Sequence, residues 1–298
     1  MATIKANTSF PTQLVSEMFN AVGGHSSLAK LSGVKPIPFA GETVMVFSNA
    51  GEASLVAEGA AKPAGNASVT PVVIRPQKFV YQQRVSDEFV KNAESQLNFL
   101  QAFADGFGRV IARGLDIAAM HGIDPATKAD IAGLATNNFD DLLTGSSVIT
   151  YSSSAPDTNL DAAIAAIHAA DANVTGIAMS PAFGTAMGSL KTEGGVPLFP
   201  EYRFGQNPDS FYGLGSDVNS TVAVKGSASG APLDYAIVGD FANAFRWGYS
   251  LNIPLEVIEY GDPDGAGHDL KQYNEVLLRA EAYIGWGILN AASFAVIR

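Results

Sequence analysis

Apolar positions recur at spacings of three and four along residues 95–122, which places Leu97, Leu100, Ala104, Phe107, Ile111 and Leu115 on one face of a helix. Phe99, Phe103, Val110 and Ala118 widen that face, while Gln101, Asp105, Arg109, Arg113 and Asp116 fall largely opposite. Ser95 suits a cap, and Gly122 followed by Asp124 and Pro125 is a stop signal. Such a helix would run roughly 42 Å, well above the ordinary length.

The pattern changes on both sides of this helix. Before it, ETVMVFSN reads as a strand and VTPVVIRPQKFVYQQRV as a longer one, rich in β-branched and aromatic residues. Pro71 and Pro76 inside the second demote it to an edge or a projecting ribbon. Between them AGEASLVAEGAAKPAGNAS is small, flexible and mildly apolar. A hairpin of some fifteen residues an arm would reach about 45 Å. Residues 1–40 hold a short amphipathic helix, PTQLVSEMFNAV, broken by Gly23 and Gly24, and then extended chain around Pro36 and Pro38, which together read as an arm.

After Pro125 a polar passage runs to Asp157, with one strand near residues 148–151, and the texture then becomes α/β. NLDAAIAAIHAADA reads as a helix, VTGIAMS as a buried strand, and PAFGTAMGSLKT as a helix started by Ser180-Pro181. A loop rich in Gly, Pro and aromatics fills much of residues 194–232, with a weak strand expected at 220–225. LDYAIVGDF, FRWGYSL and IPLEVIEY are further strands. LKQYNEVLLRAEAYIGWGIL is too long for one ordinary strand unless the strand is unusually extended, and residues 280–297 read as two buried strands. Leu277, Ile284 and Trp286 are expected to be buried, with Leu100, Phe107 and Ile111 packed against their sheet.

A chain of 298 residues can bury a proper core, and only 16% of it is charged against 47% hydrophobic, which implies surface covered by other chains. The absence of cysteine excludes disulfides, thiolate catalysis and cysteine-ligated metals. MATIKANTSF lacks the features of a signal peptide, and no stretch reads as a membrane span, so a soluble cytoplasmic origin is expected. A net charge of −11 argues against wrapping nucleic acid. Residues 1–94 carry 8 basic and 7 acidic side chains, and residues 95–298 carry 10 and 22, an uneven split that suits an extension lying on neighbouring copies. Lys5, Lys30, Lys35, Arg75, Lys78 and Arg84 would then meet acidic patches of those neighbours.

Catalytic motifs are missing. His25, His121, His168 and His268 have no metal-ligand spacing and read as solvated or capping residues, so neither metal nor cofactor is expected. GSASG at 226–230 has its serines at the wrong offsets for a nucleophile elbow, and Asp262-Pro263-Asp264-Gly265 reads as a tight turn lacking the remaining ligands of a calcium loop.

Taken in order, these parts resemble the major capsid proteins of tailed bacteriophages with the HK97-type fold, most specifically in VGDFANAFRWG, IPLEVIEYGDPDG and YNEVLLRAEAYIGWGI. The resemblance implies an α+β fold with an N-terminal arm (1–40), an extended β-hairpin loop with flanking strands (41–85), a peripheral domain (86–156 and 249–288) carrying the spine helix 95–122, and an axial domain (157–248 and 289–298). It also implies self-assembly as pentamers and hexamers into an icosahedral shell around double-stranded DNA, in a virion built in the bacterial cytoplasm. Portal, decoration and scaffolding proteins would be partners. The chain starts directly with the arm, so scaffolding would be a separate protein or not needed. Some relatives weld subunits through a Lys–Asn isopeptide bond assisted by a Glu, and Lys62, Asn274 and Glu281 are the matching set here; hydrogen bonds or salt bridges in the sheet are the plainer role for the last two. An encapsulin-type nanocompartment shell and a soluble hydrolase with an unrecognised site are the alternatives.

Overall fold

The computed structural model describes residues 25–50, 53, 55–62, 64, 66–88, 93–250 and 255–298. The amphipathic helix expected near residues 11–22 and Lys5 lie outside these, as do the side chains of Leu97, Phe99 and Leu100.

In chain order the elements are α1 (Ser27–Leu31), β1 (Glu42–Ala50), β2 (Asn66–Ile74), β3 (Gln77–Ser86), the spine α2 (Ala93–His121), α3 (Phe139–Leu142) and β4 (Val148–Ile149). They continue with α4 (Pro156–His168), β5 (Gly176–Met179), α5 (Pro181–Ser189), β6 (Ser210–Phe211), β7 (Leu214–Val218), β8 (Ala236–Gly239), β9 (Phe245–Tyr249), β10 (Leu255–Ile258), β11 (Glu275–Ile288) and β12 (Phe294–Ile297).

Three sheets organise the chain. Among the described residues β1 and β2 pair only with each other, Glu42 opposite Ile74 through Ala50 opposite Asn66, and Pro71 sits opposite Met45. Its strands are nine residues each, so the ribbon spans about 30 Å and not the longer reach expected. The second sheet is built on β11, fourteen residues long. β3 lines one edge of it over ten residues, while β10 and then β9 share the other. One continuous strand is stable here because three shorter strands cover its length. Alternate β11 residues Leu278, Ala280, Ala282, Ile284 and Trp286 face the spine's Phe103, Phe107, Ile111 and Leu115, and Tyr81 of β3 stacks on Phe103 at 5.5 Å between ring centroids. Leu277 is buried on the opposite face.

The third sheet has the order β4-β12-β8-β5-β7-β6, mixed in direction. Its central strands GIAM, AIVG and FAVI are buried at every position. That follows from packing on both faces. Ile177, Met179, Val238 and Ile297 meet helices α4 and α5, and Ala178, Ile237, Phe294 and Val296 join the spine's core.

The hairpin is fixed at its base by close backbone approach. Ile74, fully buried, lies over β11 so closely that a Cβ on Gly287 would sit 2.7 Å from its Cγ1 and one on Gly285 3.1 Å from its Cγ2. The IGWGI run therefore marks the seat of the ribbon. The arm's end adds at the edge of β9, with the Lys35 and Ile37 amides donating to the Trp247 and Tyr249 carbonyls.

Several expectations change. Residues 69–85 form two strands in different sheets, because Pro76, which has no N–H, follows Arg75 at the break. No strand forms at 220–225, where the chain turns; the strand of this region is β7, which pairs parallel with β5. Pairing also places β3 and β9 together in the β11 sheet and β4 in the β12 sheet.

Candidate assembly interfaces

The hairpin holds apolar side chains away from both cores formed by the described residues. Phe47 is 72% exposed, and Met45, Val69 and Val73 are also exposed. A two-stranded ribbon is marginal alone, and a second layer over these residues is what would stabilise it.

Two tips on the axial sheet expose large aromatics. Tyr212-Gly213 joins β6 to β7 with both residues at positive φ (48° and 84°), and Phe204-Gly205 repeats the arrangement (59° and 75°). A bulky residue in the left-handed region costs on the order of 1–3 kcal/mol, and Asn or Gly would be the ordinary choice there. Phe204 and Tyr212 are nevertheless 93% and 81% exposed. Strain spent on displaying an aromatic ring to solvent fits an anchor for another surface. Beside Phe204, an open groove of about 270 Å³ is lined by Thr185, Gly188, Ser189, Tyr202, Arg203 and Gly205.

The outer face of the β11 sheet is a ladder of charge pairs. Arg84 donates to Asp264 at 2.8 Å, Asp262 at 2.7 Å and Glu275 at 3.1 Å, and its hydrogen bond holds the Asp264 carboxyl down to about 2. Lys78 Nζ sits 2.6 Å from Glu281, and Lys30 Nζ lies 2.8 Å from Asp209 and 3.1 Å from Asp217. Lys30, Lys78 and Arg84 therefore meet carboxylates of their own chain. Local sheet register brings these acids within reach, which sequence distance concealed.

Asn274 and Glu281 are not brought together within the chain. Asn274, in the left-handed conformation, closes the 3-10 helix Leu270–Tyr273, and its carbonyl accepts from the Asp87 amide. Glu281 lies seven residues further along, about 23 Å in an extended strand. Lys62 is exposed in the hairpin's connecting loop.

Two buried polar joints tie the parts of the chain to the spine. Asp116, expected on the polar face, is wholly enclosed and accepts from the Ser27 and Leu28 amides (2.9 and 3.2 Å) and from the Ser26 and Thr221 hydroxyls. Burial pushes its carboxyl up to about 6 despite these donors. A turn away, His121 is also buried, against the expectation of a solvated or capping residue, with Asp140, Asp234 and Arg298 around it. Burial and the neighbouring Asp140 raise the Asp234 carboxyl to about 7. Burial acts against ionisation of Asp140, but His121 and Arg298 outweigh it and hold that carboxyl low. Periodicity could not reveal either joint, since the partners lie 88 or more residues away for Asp116 and 19 to 177 away for His121.

Among the described residues two cores form while an apolar ribbon and strained aromatic tips stay uncovered, an arrangement that fits a subunit of a larger protein assembly. The family comparison specifies which kind. Residues 8–298 match the model of the phage capsid family. A solved structure from Mycobacterium phage Ogopogo is similar over 100% of this chain and 94% of its own, at 33% identity and a TM-score of 0.77. One from Gordonia phage Cozz matches over 92% and 86% at 24% identity and 0.74. The capsid of a native GTA particle shares the fold, at 14% identity, a TM-score of 0.58 and coverage of 100% and 93%. No curated protein sequence matches significantly. The chain belongs to the phage capsid family.

Proposed function

We propose that this chain is the major capsid protein of a tailed phage, closing through pentamers and hexamers into an icosahedral shell around double-stranded DNA. The observation that carries the reading is the ribbon β1–β2, whose apolar side chains find no second layer among the described residues. A neighbouring subunit supplies that layer, and burial of apolar surface drives assembly at about 25 cal/mol per Å² before the costs of association. The axial tips Phe204 and Tyr212 supply contacts around the symmetry axes, where copies meet head to tail.

The chain's work is assembly and not catalysis. The subunits hold together without covalent welding: Glu281 is engaged by Lys78, and the isopeptide reaction would need that pair broken and the Lys62 amine made neutral in a dry pocket. Scaffolding, portal and decoration proteins are the expected partners, and assembly takes place in the host cytoplasm. With a net charge of −11, the shell confines DNA without gripping it, since each phosphate-neutralising side chain would add salt-dependent affinity over every subunit.

Purified shells boiled in denaturant and run on a gel test the non-covalent reading, for which a single band at the subunit's 31.0 kDa is expected. A ladder of multiples that disappears in Lys62→Arg would instead establish the weld.

A further inference from the structure

Where the last turn of the spine meets the axial sheet, His121, Asp140 and Asp234 each offer a ligand atom, and these atoms lie within 4.8 Å of one another. His121 Nε2 is 3.0 Å from the Thr221 carbonyl oxygen. A carbonyl only accepts, so Nε2 carries the hydrogen, and in the neutral ring Nδ1 presents its lone pair to the cluster. That lone pair faces Asp140 Oδ2 at 3.0 Å. Two lone pairs at this distance repel unless a cation stands between them.

Arg298 holds the far edge of both carboxylates. Its Nε donates to Asp234 Oδ1 and its Nη2 to Asp140 Oδ1, each at 2.6 Å. This fork leaves the two Oδ2 atoms for another partner. Among the described residues no donor reaches Asp234 Oδ2, a buried oxygen on a side chain fully removed from solvent, and the Asp140 carboxyl is close enough to share a proton with Asp234. An enclosed carboxylate oxygen is costly to leave unpaired. Backbone carbonyl on the far nitrogen of the imidazole and arginine on the far oxygens of the carboxylates are also the outer contacts by which proteins orient metal ligands.

We propose that His121 Nδ1, Asp140 Oδ2 and Asp234 Oδ2 form a site for a divalent cation of the zinc class, seated at the joint between spine and axial sheet. Imidazole with two carboxylate oxygens suits zinc better than calcium or magnesium, which take oxygen ligands almost alone. Ligands about 2.0–2.1 Å from the ion stand roughly 3.3 Å apart in a tetrahedron, so the Nδ1 to Oδ2 separation needs to open by only a few tenths of an ångström. Charge also closes. Zinc binding requires both carboxyls ionised; with one guanidinium they then leave one negative charge, and a zinc ion carrying hydroxide in its fourth position balances it, since zinc brings its bound water to a pKa of about 7. The rival occupant is a proton, either on His121 and donated to Asp140 or held between Asp140 and Asp234, which would balance the same charge.

The test uses full-length protein stripped with chelator, dialysed against zinc at neutral pH and then against metal-free buffer, with bound metal measured by mass spectrometry. His121→Gln and Asp234→Asn are compared with His168→Gln, which removes an exposed histidine at the end of α4. Wild type and His168→Gln are expected to keep one zinc per chain and the two cluster variants to lose it. Cobalt in place of zinc should give wild type the visible absorption of a low-coordinate N/O site, a readout that stands even where a variant fails to fold. Zinc retained equally by all four proteins would mean adventitious surface binding and overturn the proposal. No retention of zinc by wild type would overturn it in favour of a proton in the cluster, on the His121 ring if NMR finds that ring doubly protonated at neutral pH and between the carboxyls if it does not.

Discussion

Asp116→Asn isolates the carboxylate that docks the arm's end on the spine. In the wild-type fold the carboxyl is raised from 3.8 to about 6 by burial. The folded state thus binds this proton more tightly than the unfolded chain. The stability it contributes is fully present below about pH 4 and is lost as the pH rises through 6. At 1.36 kcal/mol per unit, the whole change is about 3 kcal/mol, of which about 2–3 falls between pH 4 and pH 7. Asn cannot titrate, so the difference in unfolding free energy between wild type and variant should shrink by that amount across this window. At pH 4 the variant should be the weaker protein, because its NH₂ group faces the Ser27 and Leu28 amides and leaves at least one unpaired, at about 1–3 kcal/mol. Chemical denaturation of unassembled full-length subunits at a series of pH values measures this. Hydrogen exchange should show the Ser27 and Leu28 amides losing protection in the variant. Parallel pH profiles for the two proteins would refute the reasoning.

Three other outcomes are expected. Ile111→Ala and Phe107→Ala should each destabilise the subunit by about 2–5 kcal/mol in denaturation, because both side chains are buried between spine and sheet; a neutral result at both would mean that this face is not core. Deleting residues 51–68 should leave a cooperatively melting subunit that sediments without forming shells, and normal shells from it would remove the hairpin from the assembly contacts. Phe204→Asn and Tyr212→Asn should leave subunit stability unchanged or raise it by about 1 kcal/mol through relief of left-handed strain, while slowing assembly as followed by light scattering; unchanged assembly in the double variant would show that these tips contact nothing.

The elements legible in the sequence were those whose pattern is local. The three-and-four spacing of Phe107, Ile111 and Leu115 located the spine because one face of it meets a sheet, and all three are buried. The apolar runs GIAM, AIVG and FAVI read as buried strands because both of their faces are covered. Pro76 signalled trouble in a long strand, but only tertiary pairing decides that the chain there leaves one sheet for another. Asp116 was misplaced for a related reason: helical periodicity sees one covered face, and this spine's C-terminal half is enclosed on the other side too, by α1 and the Thr221 loop. The exposed tips were partly visible as a loop dense in Gly and aromatics. That Phe204 and Tyr212 themselves take the left-handed conformation was not, since nothing in residue type favours it. The charge pairs of Lys30, Lys78 and Arg84, and the histidine–aspartate joint, depend on register between distant strands, which no linear spacing encodes.

The most direct test of the shell reading is the size and symmetry of the purified full-length protein, by analytical ultracentrifugation with cryo-electron microscopy of the same sample. The account predicts closed icosahedral particles in which β1–β2 of each subunit lies on a neighbour and Phe204 and Tyr212 face adjoining copies around the five- and six-fold axes. A protein that stays a monodisperse monomer of 31.0 kDa at every concentration and salt tried would contradict it.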